Sequence, residues 1–481
     1  MNLTTLPFPV KENPEAVQND NTILITDSYK PGHGRQYPGG TTNIYSYLES
    51  RVGARFPETV FFGPQYQVQR YLTKPLVSRD VEEAHDLFAD HFGSPDLFNK
   101  DGFNYIVDQL GGRWPVRIST IPEGMVTPIN NALMTVENTH PDFYWVTNYV
   151  ETLLVQNWYS ITVATQGRAI RQLILAALER TGDPKLIDFK LHDFGGRGVS
   201  SPESAAWGGA AHLVNFFGTD TVPALTLLRD YYNEPCAGYS IPASEHSTMT
   251  AWGEENEIEA FRNMIKTYGH YPLYACVSDS WDIMRACDIW GTDLKEEVLA
   301  AEGTLVVRPD SGDPAQIVLD VCKRLMMHFG YHTNDKGFDV LNDKVRVIQG
   351  DGVNIDSIAL VLNTLERNGI SADNVAFGMG GALLQQLNRD TQNFAFKCSS
   401  AIINGETRDV FKRPATDPMK NSKRGRFAVV DGPHGHVITI SLNEYLNGST
   451  DWGTNYLQPL YEDGRLLRTT TLAEVRERAR A

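Results

Sequence analysis

Five short stretches decide the reading of this chain: Phe189-Lys-Leu-His-Asp-Phe-Gly-Gly-Arg-Gly198, Leu273-Tyr-Ala-Cys-Val-Ser-Asp-Ser-Trp-Asp282, Thr304-Leu-Val-Val-Arg-Pro-Asp-Ser-Gly312, Val345-Arg-Val-Ile-Gln-Gly-Asp-Gly352 and Asn374-Val-Ala-Phe-Gly-Met-Gly-Gly381. Each is an apolar run that ends in Gly, Asp, Arg or Ser. Between them lie segments of helical spacing, such as Ile317–Met326, with apolar residues at 317, 318, 321, 322 and 325, and Ile358–Leu365. Strand, polar loop and helix repeated over residues 185–390 predict parallel βα units. In a closed (β/α) barrel the polar strand ends gather on one face, where such barrels build active sites. An open doubly wound sheet is the structural alternative and also binds ligands at strand C-termini.

Working outward, residues 21–184 hold aromatic-rich strands such as Thr42–Leu48 and Thr59–Gly63, and an antiparallel stretch over Val116–Gly124. Residues 391–481 include His436–Leu442 and look similar. The two flanks are expected to form one mixed α/β domain assembled from both chain ends around the barrel. Residues 1–20 are polar and Pro-containing, and read as a flexible arm.

The 481 residues suffice for two or three domains, and 41% apolar and 21% charged residues describe an ordinary folded chain. A net charge of −16 argues against general nucleic-acid or anionic-membrane binding. Five cysteines without a C-x-x-C pair argue against a disulfide framework or cysteine zinc site and for a reducing compartment. No run approaches the roughly 18 apolar residues of a membrane span. The opening lacks a basic start followed by an apolar stretch, so it does not read as a secretory signal. A cytoplasmic protein is expected.

The chain holds no G-x-x-x-x-G-K-[ST], H-E-x-x-H, G-x-S-x-G or post-strand G-x-G-x-x-G. The common NTPases, zincins, α/β-hydrolases and nicotinamide dehydrogenases are thereby set aside. What remains is anion chemistry. In Phe377–Leu387, glycines directly after a strand let backbone N–H groups approach a phosphate, with a helix expected behind them. A turn needed only for strand-to-helix geometry explains the same glycines equally well. Lys412, Arg413, Lys420, Lys423, Arg424 and Arg426, with Arg389 and Lys397 nearby, suit a polyphosphate, or else form a solvated loop. Asp279, Asp282, Asp310 and Asp351 stand at strand ends, where carboxylates hold Mg²⁺ through waters, bind ribose hydroxyls, or cap helices. His192 and His246 lie in similar positions, and a histidine oriented by a carboxylate can act as a nucleophile or base.

Taken together and in order, Thr26–Lys30, Lys190–Gly195, Gly218–Thr221, Gly238–Thr248, Ser278–Asp282, Arg308–Gly312, Gln349–Gly352, Ala376–Gly381 and Phe396–Ser399 resemble the type II phosphoribosyltransferases of the nicotinate/nicotinamide phosphoribosyltransferase family, on the nicotinamide side. The resemblance covers nearly the whole chain from about residue 21. It implies an irregular α/β barrel beside a mixed domain, a homodimer with composite active sites, and Mg²⁺ with ATP as a coupled co-substrate. The implied reaction joins nicotinamide to phosphoribosyl pyrophosphate.

The resemblance also implies residue roles. Phe194 and Tyr29 sandwich the pyridine ring, Tyr29 coming from the second copy, and Asp220 and Arg308 read the carboxamide. Arg197, Ser240, Ser278, Gly350, Asp351, Gly380 and Gly381 hold phosphate and ribose, with Asp310 beside them. Arg51, Arg389, Lys397 and Lys412 surround pyrophosphate or ATP. His246 accepts a phosphoryl group, supported by Asp282, with Glu245 as the fallback partner. Mg²⁺ rides mainly on substrate phosphates, with Asp282 as a candidate ligand. The competing readings are a nicotinate or quinolinate phosphoribosyltransferase, whose carboxylate substrate Asp220 would repel, and a sugar-phosphate isomerase or aldolase, for which Lys190 is the obvious strand lysine. A non-enzymatic binding protein is the third.

Overall fold

Thr304-Leu-Val-Val-Arg308 is a strand because alternate residues of a β-branched run can pack two faces at once. In the computed structural model, which describes residues 21–415 and 421–480, Leu305 and Val307 point outward into the main core and Val306 points inward. The expected arm, residues 1–20, and Lys420 lie outside the described residues. In chain order the strands of the two large sheets are β1 (Thr41–Ser50), β2 (Val116–Thr120), β3 (Ala132–Asn138), β4 (Leu191–Asp193), β5 (Gly218–Thr219), β6 (Leu273–Val277), β7 (Thr304–Arg308), β8 (Val345–Gln349), β9 (Val375–Met379), β10 (Phe394–Ile403), β11 (Glu406–Asp409), β12 (Gln458–Glu462) and β13 (Arg465–Leu466).

The parallel sheet runs β5-β4-β9-β8-β7-β6. Its two edges are joined by one extended segment. Tyr239 bridges to Gly218 on one side, and Ala243 bridges to Ala275 on the other, both in parallel. Hydrogen bonds from Thr219 N to Tyr239 O (3.0 Å) and from Ala275 N to Pro242 O (2.8 Å) complete the closure. The sheet is thus an irregular barrel, and the open doubly wound alternative falls away.

Period-two alternation then decides what faces the lumen. Leu191, Cys276, Val345, Val347, Phe377 and Met379 pack outward against the helices. Inside, Ala275, Val306, Ile348, Ala376, Ile241 and Phe194 form a separate small cluster. Alanine and glycine at several inward positions leave room in the lumen. Outside, the helix Pro314–Phe329 begins at Asp313, whose carboxylate accepts from Gln316 N at 2.9 Å. It buries Val318, Val321, Cys322, Leu325 and Phe329, and each large apolar side chain so buried contributes roughly 1.5–3 kcal/mol.

The second sheet is antiparallel, ordered β11-β10-β1-β3-β2-β12-β13, and draws strands from both chain ends. Two segments cross the expected boundaries. The helix Trp158–Thr181 and the terminal helix Leu472–Arg480 bury Val163, Ile170, Ile174, Leu472 and Val475 in the barrel core. Both carry apolar faces that the barrel exterior covers. Glu58–Val60 and Val437–Ser441 stay outside the large sheet, each pairing with one short neighbour.

Candidate active site

Phe194 follows β4, and its backbone N–H donates to Met379 O at 3.0 Å. Its ring lies over Gly378, where an added Cβ would sit 2.0 Å from Phe194 Cε2, and over Gly350, where the distance would be 3.4 Å. Side chains at these positions would occupy the space the ring uses, so the glycines define a flat slot. Asp220 follows β5 and is held through its own N–H on Asp193 O at 3.0 Å. Its Oδ1 lies 2.9 Å from His192 Nε2 and accepts from Ser240 Oγ at 2.5 Å. Burial raises the Asp220 carboxyl, but the hydrogen bonds from His192 and Ser240 and the charge of Arg308 outweigh it and hold the group below the usual aspartate range.

Arg308 ends β7. Its Nη2 lies 3.4 Å from Asp310 Oδ2, while its Nε is buried and has no hydrogen-bond partner. A buried, unpartnered guanidinium N–H is costly unless a ligand accepts from it. Phe194, Asp220, Arg308, Arg197 and Glu245 line one cavity of about 490 Å³. A ring slot with an anionic acceptor and a cationic donor fits a flat aromatic carrying both an N–H₂ and a C=O.

The expected phosphate end is built by two turns that meet. The turn Gly196–Gly198, which carries exposed Arg197, approaches Gly381, and a Cβ on Gly198 would lie 3.6 Å from Gly381 Cα. Open space lies over Gly381, where an added Cβ meets nothing within 4 Å. The expected helix behind these glycines is a single turn, Gly381–Leu384, because the chain leaves for another loop at Gln385. Asp310, Gly350 and exposed Asp351 stand beside it, just past the ends of β7 and β8.

One expected phosphate or ribose contact is corrected. Ser278 is completely buried, donating to Cys276 O and accepting from Trp290 Nε1. Ser240 is exposed, and its hydroxyl hydrogen goes to Asp220.

His246 opens the short helix His246–Thr250 and remains half-exposed at the barrel mouth. Its Nε2 lies 2.9 Å from Asp279 Oδ1, and its Nδ1 lies 3.9 Å from Asp310 Oδ2. Asp279 Oδ2 accepts from Asp310 N at 3.0 Å and Ser311 Oγ at 2.5 Å. Burial pushes the Asp279 carboxyl up, yet the hydrogen bonds from Ser311, His246 and the Asp310 amide more than offset this and hold it below its usual range. An ionised carboxylate only accepts, so Nε2 donates to Asp279, and in the neutral ring Nδ1 is the nitrogen that offers a lone pair.

Asp282 is therefore not the histidine's partner. Its Oδ1 caps the helix Ile283–Gly291 by accepting from Met284 N (2.8 Å) and Arg285 N (3.0 Å). Glu245, the fallback, caps the histidine's own helix. Lys190 is buried and its Nζ donates to the carbonyls of Ala372, Asp373 and Val375 at 2.9–3.0 Å. A lysine clamped on three carbonyls is no Schiff-base nucleophile, which removes the aldolase reading.

The remaining expected residues gather elsewhere, on the antiparallel domain. Lys397 on β10 has its pKa lowered first by burial and then by Arg51 and Lys412, with Arg389 adding to the effect, so these four cations share one electrostatic neighbourhood. Tyr29 lies on the same domain: Lys30 Nζ is 5.4 Å from the Tyr29 ring centroid and pairs with Glu151 at 2.6 Å, and Glu151 also acts on Lys397. Tyr29 is 58% exposed. Among the described residues none of these five side chains hydrogen-bonds or ion-pairs with Phe194, Asp220 or His246; Arg51 holds Asn393, and Arg389 lies near Asp390. Two members of the expected basic cluster are structural: Lys423 pairs with Glu49 and Arg426 with Glu137.

Residues 189–462 match the model described as the nicotinate phosphoribosyltransferase (NAPRTase) family, and residues 21–118 match the nicotinamide phosphoribosyltransferase N-terminal domain. The chain is 48% identical over 467 residues to the nicotinamide phosphoribosyltransferase of Xanthomonas campestris pv. campestris, covering 96% of this chain and 98% of the relative. The chain belongs to the nicotinamide phosphoribosyltransferase family. A second family member, from Acinetobacter baylyi, is 30% identical over 498 residues, covering 95% and 97% of the two chains. The fold extends to more distant structures. Nicotinate-nucleotide pyrophosphorylase from Pyrococcus furiosus superposes with a TM-score of 0.60 at 15% identity, covering 97% of each chain. Human nicotinic acid phosphoribosyltransferase gives 0.57 at 16%, covering 95% of this chain and 93% of that one.

Proposed function

We propose that this protein transfers the phosphoribosyl group of phosphoribosyl pyrophosphate to nicotinamide, giving nicotinamide mononucleotide and pyrophosphate. The carrying observation is the pairing of anionic Asp220 with the buried, unpartnered Nε of Arg308 around the Phe194 slot. The carboxamide N–H₂ donates to Asp220, its carbonyl accepts from Arg308, and the ring stacks on Phe194. The pyridine nitrogen then forms its bond to C1′ as the C1′–O bond breaks and the electron pair leaves with pyrophosphate. No proton moves, so no general base is needed. The protein's work is alignment and charge stabilisation of the leaving group. Arg197 and the Gly380–Gly381 turn would hold the 5′-phosphate, and Asp310, Gly350 and Asp351 would face the ribose.

The reading extends to a homodimer. Tyr29 and the cluster of Arg51, Arg389, Lys397 and Lys412 form half a site without its barrel mouth, and a second copy supplies the complement. Coupling to ATP follows from His246: Nδ1 attacks the γ-phosphorus, the bond to ADP breaks, and water later releases phosphate from the histidine. Mg²⁺ would be carried mainly by the substrate phosphates. No described helix is long and apolar enough to cross a membrane, and all five cysteines are free thiols; the thiols support a cytoplasmic location.

The test is mass spectrometry of protein incubated with phosphoribosyl pyrophosphate, Mg²⁺ and either nicotinamide or nicotinate, with and without ATP. Nicotinamide mononucleotide as the main product, enhanced by ATP, is the expected result. A preference for nicotinate would overturn the substrate assignment.

A further inference from the structure

Asp220 lines one cavity, and its two hydrogen-bond partners, His192 and Ser240, line another. The first is the site cavity, shared with Phe194 and Arg308. The second, of about 400 Å³, is lined by His192, Ser240, Ile241, Tyr239 and Ile348 among others. Asp220 is reached by two donors, His192 Nε2 at 2.9 Å and Ser240 Oγ at 2.5 Å, and both take the same oxygen, Oδ1. Among the described residues Oδ2 makes no hydrogen bond to protein.

His192 is itself held. Its ring meets Phe194 edge-on with centroids 5.3 Å apart. On its other side it closes on Gly218, where an added Cβ would come within 2.6 Å of His192 Nδ1. The imidazole is thus wedged between the aromatic slot and β5, with Nε2 aimed at Asp220.

We propose that His192, assisted by Ser240, is the positioning residue that sets amide-over-acid selectivity. Two donors saturate Oδ1 and pin the carboxylate plane, leaving Oδ2 as a fixed acceptor. A fixed acceptor rewards the N–H₂ of an amide and opposes the oxygen of a carboxylate. Released from Oδ1, Asp220 would turn about its side-chain bonds, binding the amide less well and meeting the acid with less repulsion. The inference rests on the nicotinamide reading above and adds to it how the reading residue is held.

The experiment compares steady-state kcat and KM for nicotinamide and nicotinate in the parent protein, His192→Phe, His192→Gln and Ser240→Ala. His192→Phe should raise the nicotinamide KM more than it lowers kcat and narrow the nicotinamide-to-nicotinate ratio of kcat/KM by about tenfold, the loss of one charge-assisted hydrogen bond. His192→Gln, which keeps a donor at similar reach, should recover most of the ratio. Ser240→Ala should move it in the same direction. An unchanged ratio in His192→Phe, or an equal loss for both substrates that glutamine does not rescue, would overturn the role of His192. If His192→Phe does not fold, Ser240→Ala decides: it removes a donor to the same oxygen, and an unchanged ratio there overturns the proposal. Parent protein that makes no nicotinamide mononucleotide overturns the substrate reading itself, whereas parent turnover with an unchanged ratio overturns only this inference.

Discussion

Asp279 Oδ1 lies 2.9 Å from His246 Nε2, whereas Asp282, three residues further on, faces the first amides of its own helix. Two aspartates in one short motif therefore have separate tasks. One fixes an imidazole and the other starts a helix.

That separation is measurable. His246→Ala should abolish ATP hydrolysis and acid-labile labelling from γ-labelled ATP while leaving some transferase activity, since ring attack on C1′ does not use the imidazole. Asp279→Asn should strongly reduce labelling by freeing the histidine tautomer. Asp282→Ala should keep labelling and cost about 1 kcal/mol of stability, as loss of a helix cap does. Labelling lost in Asp282→Ala but kept in Asp279→Asn would reverse the assignment.

The proposed substrate reading centres on Asp220. Asp220→Asn removes a charged acceptor and should cost nicotinamide use roughly 1.5–3 kcal/mol in kcat/KM. It should also narrow the gap to nicotinate. Equal kcat/KM ratios in parent and variant would show that Asp220 does not read the carboxamide.

Gly378 tests the ring slot without touching charge. A Cβ there would lie 2.0 Å from Phe194 Cε2, so Gly378→Ala must displace the ring. Overpacking of this kind costs roughly 1–3 kcal/mol of stability, and the nicotinamide KM should rise. Calorimetry and steady-state kinetics on the one variant read both effects, and an unchanged KM would separate Phe194 from the substrate.

The split between barrel mouth and cation cluster predicts complementation. Tyr29→Ala and Arg308→Ala, each impaired alone, should regain partial activity when mixed and exchanged into heterodimers, because one of the two sites then carries neither lesion. No recovery despite verified exchange would place Tyr29 outside the site.

Acid should act through the same carboxylates. Asp220 and Asp279 are both held below the ordinary value of 3.8, because their hydrogen bonds outweigh the raising effect of burial. A depressed folded pKa contributes stability that is full above the unfolded value and lost as pH falls through the folded one. Tm should therefore be insensitive to these two groups above about pH 5 and fall below about pH 4. The Asp220→Asn, Asp279→Asn double variant should show a shallower acid slope. An unaltered slope would mean that the two carboxylates titrate alike in the folded and unfolded chain.

Local rules made much of this molecule legible from its sequence. Alternation in Thr304–Arg308 and Val375–Met379 marked strands, helical spacing marked Ile317–Met326, and the polar residues after each strand marked the face where Phe194, Arg308, Asp310 and Gly350 meet. The same alternation puts His192 in the lumen with Phe194, a signal present in Leu191–Phe194 but readable only once β4 was known to line a closed barrel. The motifs in register also carried the family. What the sequence could not decide depends on which distant segments meet. Closure of the barrel needs Tyr239–Ser244 to touch both sheet edges. His246 and Asp279 are 33 residues apart and His192 and Asp220 are 28 apart. Propensity, capping and periodicity act over a few residues, so Asp279 and Asp282 look alike in the sequence. Sheet order and barrel closure alone turn one toward a histidine and leave the other to cap a helix.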